Sequence, residues 1–134
     1  FSVLSAGDGG IDIGNNVHIV IFCSIIGKSK ITFSNFSGLS SRVSVYSSTD
    51  DYSGGFLTNP TVDEKFTNVI SGDVFLGKHV IIGAGSVILP NVTIGDYSAV
   101  AGLSLVSKNI GELKIFGGIP AKEIKERKNN LIII

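Results

Sequence analysis

Tryptophan and methionine are absent from the 134 residues, and there are only one cysteine, two histidines and three prolines. A lone thiol, Cys23, excludes an intrachain disulfide. With two histidines beside it, no cluster has the spacing of a structural zinc site, and we expect no metal. Charge is scarce and balanced, 11 Lys+Arg against 11 Asp+Glu. That gives no basic face or tail for nucleic acid, and 8% aromatics give no base-stacking platform. Apolar runs are short. Ile19-Val20-Ile21-Phe22 and the stretch from Leu131 to Ile134 fall far below the roughly 20 residues that span a bilayer. No transmembrane segment, signal peptide or phosphate loop of the nucleotide-hydrolase type is visible, and a cytoplasmic location is expected. The chain starts at Phe1 rather than Met, so part of the natural N-terminus is expected to be missing. The length fits one domain, residues 1–134. At 43% hydrophobic, the chain has more apolar surface than one small domain hides, which predicts an oligomer.

Glycine, in contrast, is plentiful: 17 residues scattered through apolar sequence. Helices tolerate this poorly, at about 1 kcal/mol per glycine, whereas tight turns between short strands accept it. From Leu76 the sequence reads in sixes, with Leu76, Ile82, Ile88, Ile94, Val100 and Val106 in first place. The fifth places are Val80, Ser86, Val92, Ser98 and Ser104. An aliphatic every six residues and a small or β-branched residue four further on fit a three-sided coil. Each side is a short strand and each corner a turn, so a full turn takes about 18 residues and only stacked turns are stable. Between Leu76 and Val106 there is no room for the crossover helices of an α/β sheet.

Upstream, Ile13, Ile19 and Ile25 keep the same phase, which slips by two before resuming at Phe33, Leu39 and Val45. The slip predicts a bulged corner between Gly27 and Thr32. Repeats stop from about residue 50 to 73, a length more typical of a functional loop than of idle connection. Tyr46, Tyr52, Ser53, Thr58 and Asn59 there suit carbohydrate hydroxyls, while Phe56, Leu57 and Phe66 suit packing on a neighbouring subunit. After Val106, residues 113–120 read as strand and turn, and Pro120 is placed to open a short surface helix through Lys128.

Two stretches carry a resemblance, Ile82 to Gly95 and Gly118-Ile119-Pro120-Ala121-Lys122. On them the chain resembles the hexapeptide-repeat acetyltransferases. Locally it is most similar to sugar and polysaccharide O-acetyltransferases of the maltose, galactoside and O-antigen type. The resemblance implies a left-handed parallel β-helix, a homotrimer, acetyl-CoA as donor and active sites between subunits. Carried over, Gly83, Ala84 and Ser86 lie near the thioester, and Ala101, Gly102, Ser107 and Lys108 lie further along the CoA track. Pro120, Ala121, Lys122 and Arg127 lie near its end.

Maltose-type members place a histidine after a Tyr-containing strand as general base. Here the matching stretch, Val45 to Asp50, puts Asp50 at that position. A sugar hydroxyl still needs a base, and a group titrating near pH 7 suits best. His79 opens the well-formed repeats directly after the loop and is the expected base, with Asp50 or Asp51 orienting it or binding the acceptor. His18 and an aspartate-led arrangement remain open. Backbone N–H groups near Gly83 to Gly85 are the expected oxyanion donors. Cys23, at a small inward place, reads as core. The resulting expectation is acetyl transfer to a hydroxyl of a sugar or cell-surface polysaccharide precursor. Its alternatives are N-acetylation of an amino sugar nucleotide and a non-catalytic β-helix module.

Overall fold

The computed structural model describes residues 1–130; the terminal stretch from Leu131 lies outside the described residues. Short strands stack into three sides of a left-handed triangular coil. The first face holds Val3–Ala6, Ser24–Gly27, Ser44–Tyr46, Val87–Ile88 and Leu105–Val106. The second holds Ile11–Ile13, Ile31–Phe33, Val74–Leu76 and Thr93–Ile94. The third holds His18–Ile19, Gly38–Leu39, Ile81–Ile82, Ala99–Val100 and Lys114–Gly118, closed by Ala121–Glu126. Pairing within the three faces is parallel except for that last strand.

The six-residue period sets this register. Ile25, Val45, Ile88 and Val106 are successive partners on the first face. Phe33, Leu76 and Ile94 follow on the second, and Leu39, Ile82, Val100 and Phe116 on the third. Nearly all of these side chains are buried in one continuous core. The fifth-place serines are buried too, and their hydroxyls are satisfied at the corners. Ser86 Oγ donates to Ala101 O at 3.1 Å and Ser104 Oγ to the same carbonyl at 2.6 Å. A small polar residue is tolerated there because the corner carbonyl is at hand.

Each kind of corner has its own character. Where the second face turns into the third, Asn16, Phe36, His79, Tyr97 and Leu113 all adopt positive φ, between 56° and 62°. Non-glycine residues rarely accept this conformation. Past the first coil each is fastened to the coil before it, as in His79 N to Asn35 O (3.2 Å) and Tyr97 N to Lys78 O (2.7 Å). Where the first face turns into the second, the two extra residues fall between Ser24–Gly27 and Ile31–Phe33, as the slip in phase predicts. One coil later the same corner carries the long loop. It leaves through Ser48–Asp50 and returns antiparallel through Val69–Ser71, with one 3-10 turn at Glu64–Phe66.

The helix expected from Pro120 to Lys128 does not form. Ala121–Glu126 is a strand, antiparallel to Lys114–Gly118. Without it, the last parallel strand of the third face would leave its edge unpaired. Lys114 Nζ adds contacts to Glu123 (3.4 Å) and Glu126 (3.3 Å) across the hairpin. Among the described residues, no helix is long and apolar enough to cross a membrane.

Candidate active site

The residues singled out in the sequence divide among the three corners. At the third-to-first corner lie Gly83, Ala84, Ala101 and Gly102, and the hairpin turn bearing Pro120, Ala121 and Lys122 is tied beside them. Gly118 N donates to Ser104 Oγ at 3.0 Å. Coils approach closely here: a Cβ on Gly83 would meet Gly102 N and come within 2.8 Å of Ala101 C. The result is a smooth, small-residue track suited to an extended acyl carrier. The Gly83 and Gly85 N–H groups are committed to Val100 O (2.8 Å) and Ser41 O (3.0 Å), so neither is free for an oxyanion. Ala84 N and Gly102 N donate to no described backbone group. Ser86, expected near the thioester, is wholly buried, with its hydroxyl donating to Ala101 O inside the coil.

The first-to-second corner carries the loop. Asp50 is exposed and lines a cavity of about 400 Å³ with Lys28, Thr58 and Asn68 among others. Asp51 has another occupation. Its carboxylate accepts from Ser53 N (3.0 Å) and Asn68 Nδ2 (3.1 Å), and the contacts from Ser53, then Asn68, hold its pKa below the usual carboxylate range. Asn59 Oδ1 likewise serves the loop, accepting from Thr61 N and Oγ1 at 2.9 and 2.7 Å. Tyr46 is half-buried beside Val45, whereas Tyr52, Ser53 and Thr58 are exposed. Ser107 and Lys108 belong to this corner, after Leu105–Val106, and not to the small-residue track.

His79 stands at the remaining corner, one face away from the loop it follows in sequence. Its ring is stacked between Phe36 (centroids 4.8 Å, 5°) and Tyr97 (5.1 Å, 8°). Arg127 joins it there rather than the CoA track, with Nη1 donating to the carbonyls of His79 (3.2 Å), Tyr97 (3.2 Å) and Ser98 (3.4 Å). Within one chain, His79 and Asp50 are therefore apart. Phe36, Gly38 and Ser40, which share a cavity with His79, escaped the sequence reading. The one signal for Phe36 is that it holds the same place in its repeat as His79 and Tyr97. Cys23 is core, its Sγ 3.2 Å from Ser40 O. Among the described residues, no three His, Cys, Asp or Glu side chains gather as a metal site.

The sequence matches the bacterial transferase hexapeptide (six repeats) family over residues 73–108. It is 49% identical over 132 residues to a dTDP-4-amino-4,6-dideoxy-D-glucose acyltransferase of Escherichia coli, covering 98% of this chain and 69% of that protein. The chain is a hexapeptide-repeat acyltransferase. As such it is an acyl-CoA-dependent enzyme. In structure it is similar to AntD, an N-acyltransferase from Bacillus cereus solved with dTDP-4-amino-4,6-dideoxyglucose and Coenzyme A. The TM-score is 0.92 and the identity 38%, covering 98% of this chain and 69% of that one.

These likenesses correct the expected kinship with maltose and galactoside O-acetyltransferases. The galactoside O-acetyltransferase of Escherichia coli matches only 62 residues, 46% of this chain and 28% of that enzyme, at 40% identity. A maltose O-acetyltransferase from Clostridium difficile shares the fold (TM-score 0.73, over 96% of this chain and 70% of that one) at 21% identity. The repeats are common to all these enzymes. On the repeats alone the chain therefore resembles O-acetyltransferases and N-acyltransferases alike.

Proposed function

We propose that this acyltransferase works as a homotrimer. In this reading it transfers acetyl from acetyl-CoA to the amino group of a nucleotide-linked amino sugar of the dTDP-4-amino-4,6-dideoxyglucose kind. The observation that carries it is Asp50. It stands where maltose-type relatives have histidine, it is exposed at the rim of the loop cavity, and its carboxylate bonds to no described side chain. At neutral pH a sugar amine is largely an ammonium ion, and a carboxylate attracts it where an imidazolium would repel it. Support also comes from AntD, solved with a serine replaced and with an aspartate ten positions further on replaced. Ser40 and Asp50 keep that spacing here, as do Ser2 and Asp12, Ser41 and Asp51, Ser53 and Asp63, and Ser86 and Asp96, so the spacing agrees with Asp50 without singling it out.

In the reaction, the Asp50 carboxylate takes one proton from the ammonium. The freed nitrogen attacks the thioester carbonyl, forming the C–N bond as the C–S bond breaks, and the second proton that the nitrogen sheds goes to the departing thiolate. The Ala84 N–H on the track is suited to meet the oxyanion. The track and Asp50 lie at different corners of one coil, so the reading needs a second copy, with the track of one subunit facing the loop of the next.

The test is release of CoA thiol with dTDP-4-amino-4,6-dideoxyglucose set against maltose and galactosides. We expect the amino sugar nucleotide to be preferred by about 10²-fold or more in kcat/KM, and Asp50→Asn to lower turnover by about 10²-fold or more. Equal use of the hydroxyl sugars, or an Asp50→Asn enzyme of unchanged rate, would overturn the proposal.

A further inference from the structure

The third face carries a second cavity, about 470 Å³, that the chemistry above leaves unused. Both histidines of the chain reach it: His18 from the first coil and His79 from the third, with Arg127 from just after the last strand. Asn16 and Ser40 line it as well, and no carboxylate does among the described residues. Its floor is Gly38, whose strand pairs with His18 on one side and Ile81 on the other. Glycine is not demanded there by the backbone. No positive φ occurs at Gly38, and an added Cβ would meet nothing nearer than His18 O at 3.4 Å. The missing side chain leaves the space over the strand open.

Two of the three basic groups are held in place. The faces of the His79 ring are covered by Phe36 and Tyr97, so only its edge, with the ring nitrogens, is left to engage a ligand. Arg127 is fastened through Nη1 to three carbonyls. Its Nε and Nη2 donate to no described group, and no described carboxylate neutralises it. A half-buried, immobilised guanidinium without a counter-ion is suited to an oxyanion, above all to phosphate.

We propose that this cavity binds a phosphate group of one of the substrates, through His18, His79 and Arg127. Both substrates carry phosphate, since CoA does and, in the reading above, so does the nucleotide-linked acceptor. The inference rests on that reading only for the second source.

The experiment is calorimetric titration of the full-length protein with dTDP and, separately, with CoA, for the wild type, His18→Ala and Gly38→Val. His18 is exposed, so its loss should leave the fold intact, and urea unfolding checks the fold of both variants. We expect each variant to weaken one of the two ligands by about tenfold or more, His18→Ala by the loss of one charge-assisted hydrogen bond and Gly38→Val by filling the cavity floor. A loss confined to dTDP assigns the acceptor's phosphates, and one confined to CoA assigns the donor's. If His18→Ala stays folded and binds both ligands within twofold of the wild type, the proposal is wrong. The CoA titration decides the matter even if the amino sugar is not the acceptor. Turnover of the amino sugar stands independently if the cavity binds nothing.

Discussion

Gly38 on the third face and Gly83 at the corner that follows it should respond in opposite ways to the same methyl group. At Gly83 an alanine Cβ would touch Gly102 N and lie 2.8 Å from both Ala101 C and Gly102 Cα. Carbon contacts are comfortable at about 3.5–4.0 Å, so neighbouring coils must part by about 0.7 Å or more. They are held together by Gly83 N to Val100 O (2.8 Å) and Leu103 N to Ala84 O (2.9 Å), and no flexible side chain can give way. Overpacking of this kind costs about 1–3 kcal/mol, and losing one backbone bond adds about 1 kcal/mol. We therefore expect Gly83→Ala to lose about 2–4 kcal/mol. At Gly38 the nearest contact is 3.4 Å. There alanine should be neutral or stabilising by up to about 1 kcal/mol, through the reduced entropy of the unfolded chain. Equilibrium urea unfolding at one protein concentration reads the difference. With a slope of about 2 kcal/mol/M, the Gly83→Ala midpoint falls by about 1–2 M while that of Gly38→Ala stays or rises. A Gly83→Ala protein as stable as wild type would refute the claim that coil spacing, not chain flexibility, dictates glycine at this corner.

Other expectations follow from burial, titration and symmetry. Ile88 is fully buried between Val45 and Val106, so Ile88→Ala should lose about 2–5 kcal/mol, read in the same urea experiment; a loss under 1 kcal/mol would contradict the stacked core. The Asp51 carboxyl is held below its ordinary range, first by Ser53 and then by Asn68. Its contribution is full above the unfolded pKa near about 3.9 and disappears as pH falls through the lower folded value. Hydrogen exchange in residues 51–68 should accelerate over that acidic window, and equal protection at pH 5 and pH 2 would show that Asp51 does not hold the loop. In mixed trimers, an Asp50→Asn chain and an Ala84→Trp chain, each inactive alone, should together regain about a quarter of wild-type activity, since one seam in four pairs two intact corners. No recovery would place both residues in one subunit's site.

The coil itself was legible because its period is written in large, buried side chains. Ile82, Ile88 and Ile94 each have 0% exposure, and a residue so constrained leaves its mark on the sequence. The slip before Phe33 was legible for the same reason, since displaced core residues date the insertion to one corner. The C-terminal strand was not legible. Ala121-Lys122-Glu123-Ile124-Lys125-Glu126 has good helical propensity and one large apolar residue. What overrides the propensity is an open strand edge at Lys114–Gly118, which no local window contains. The corner that His79 occupies was not legible for a related reason. It follows the loop closely in sequence, yet Val74–Leu76 lies between them and carries the chain across a whole face.

In the proposed reading, the position of Asp50 ties the fold to the choice of acceptor. A hydroxyl is neutral at pH 7 and a poor nucleophile, so its acylation leans on a base near pH 7 that removes the proton during attack. An amine has the opposite problem. Once deprotonated it attacks unaided, and what it requires is a site that attracts the ammonium and accepts one proton from it. An exposed carboxylate supplies both the negative charge and the acceptor oxygens. An imidazole held in place of Asp50 would, once protonated, oppose binding of the ammonium. The coil is indifferent to this exchange, because the residue stands on an inserted loop outside the stacked core. One scaffold can thus carry either chemistry, with the corner insertion and not the repeats deciding which.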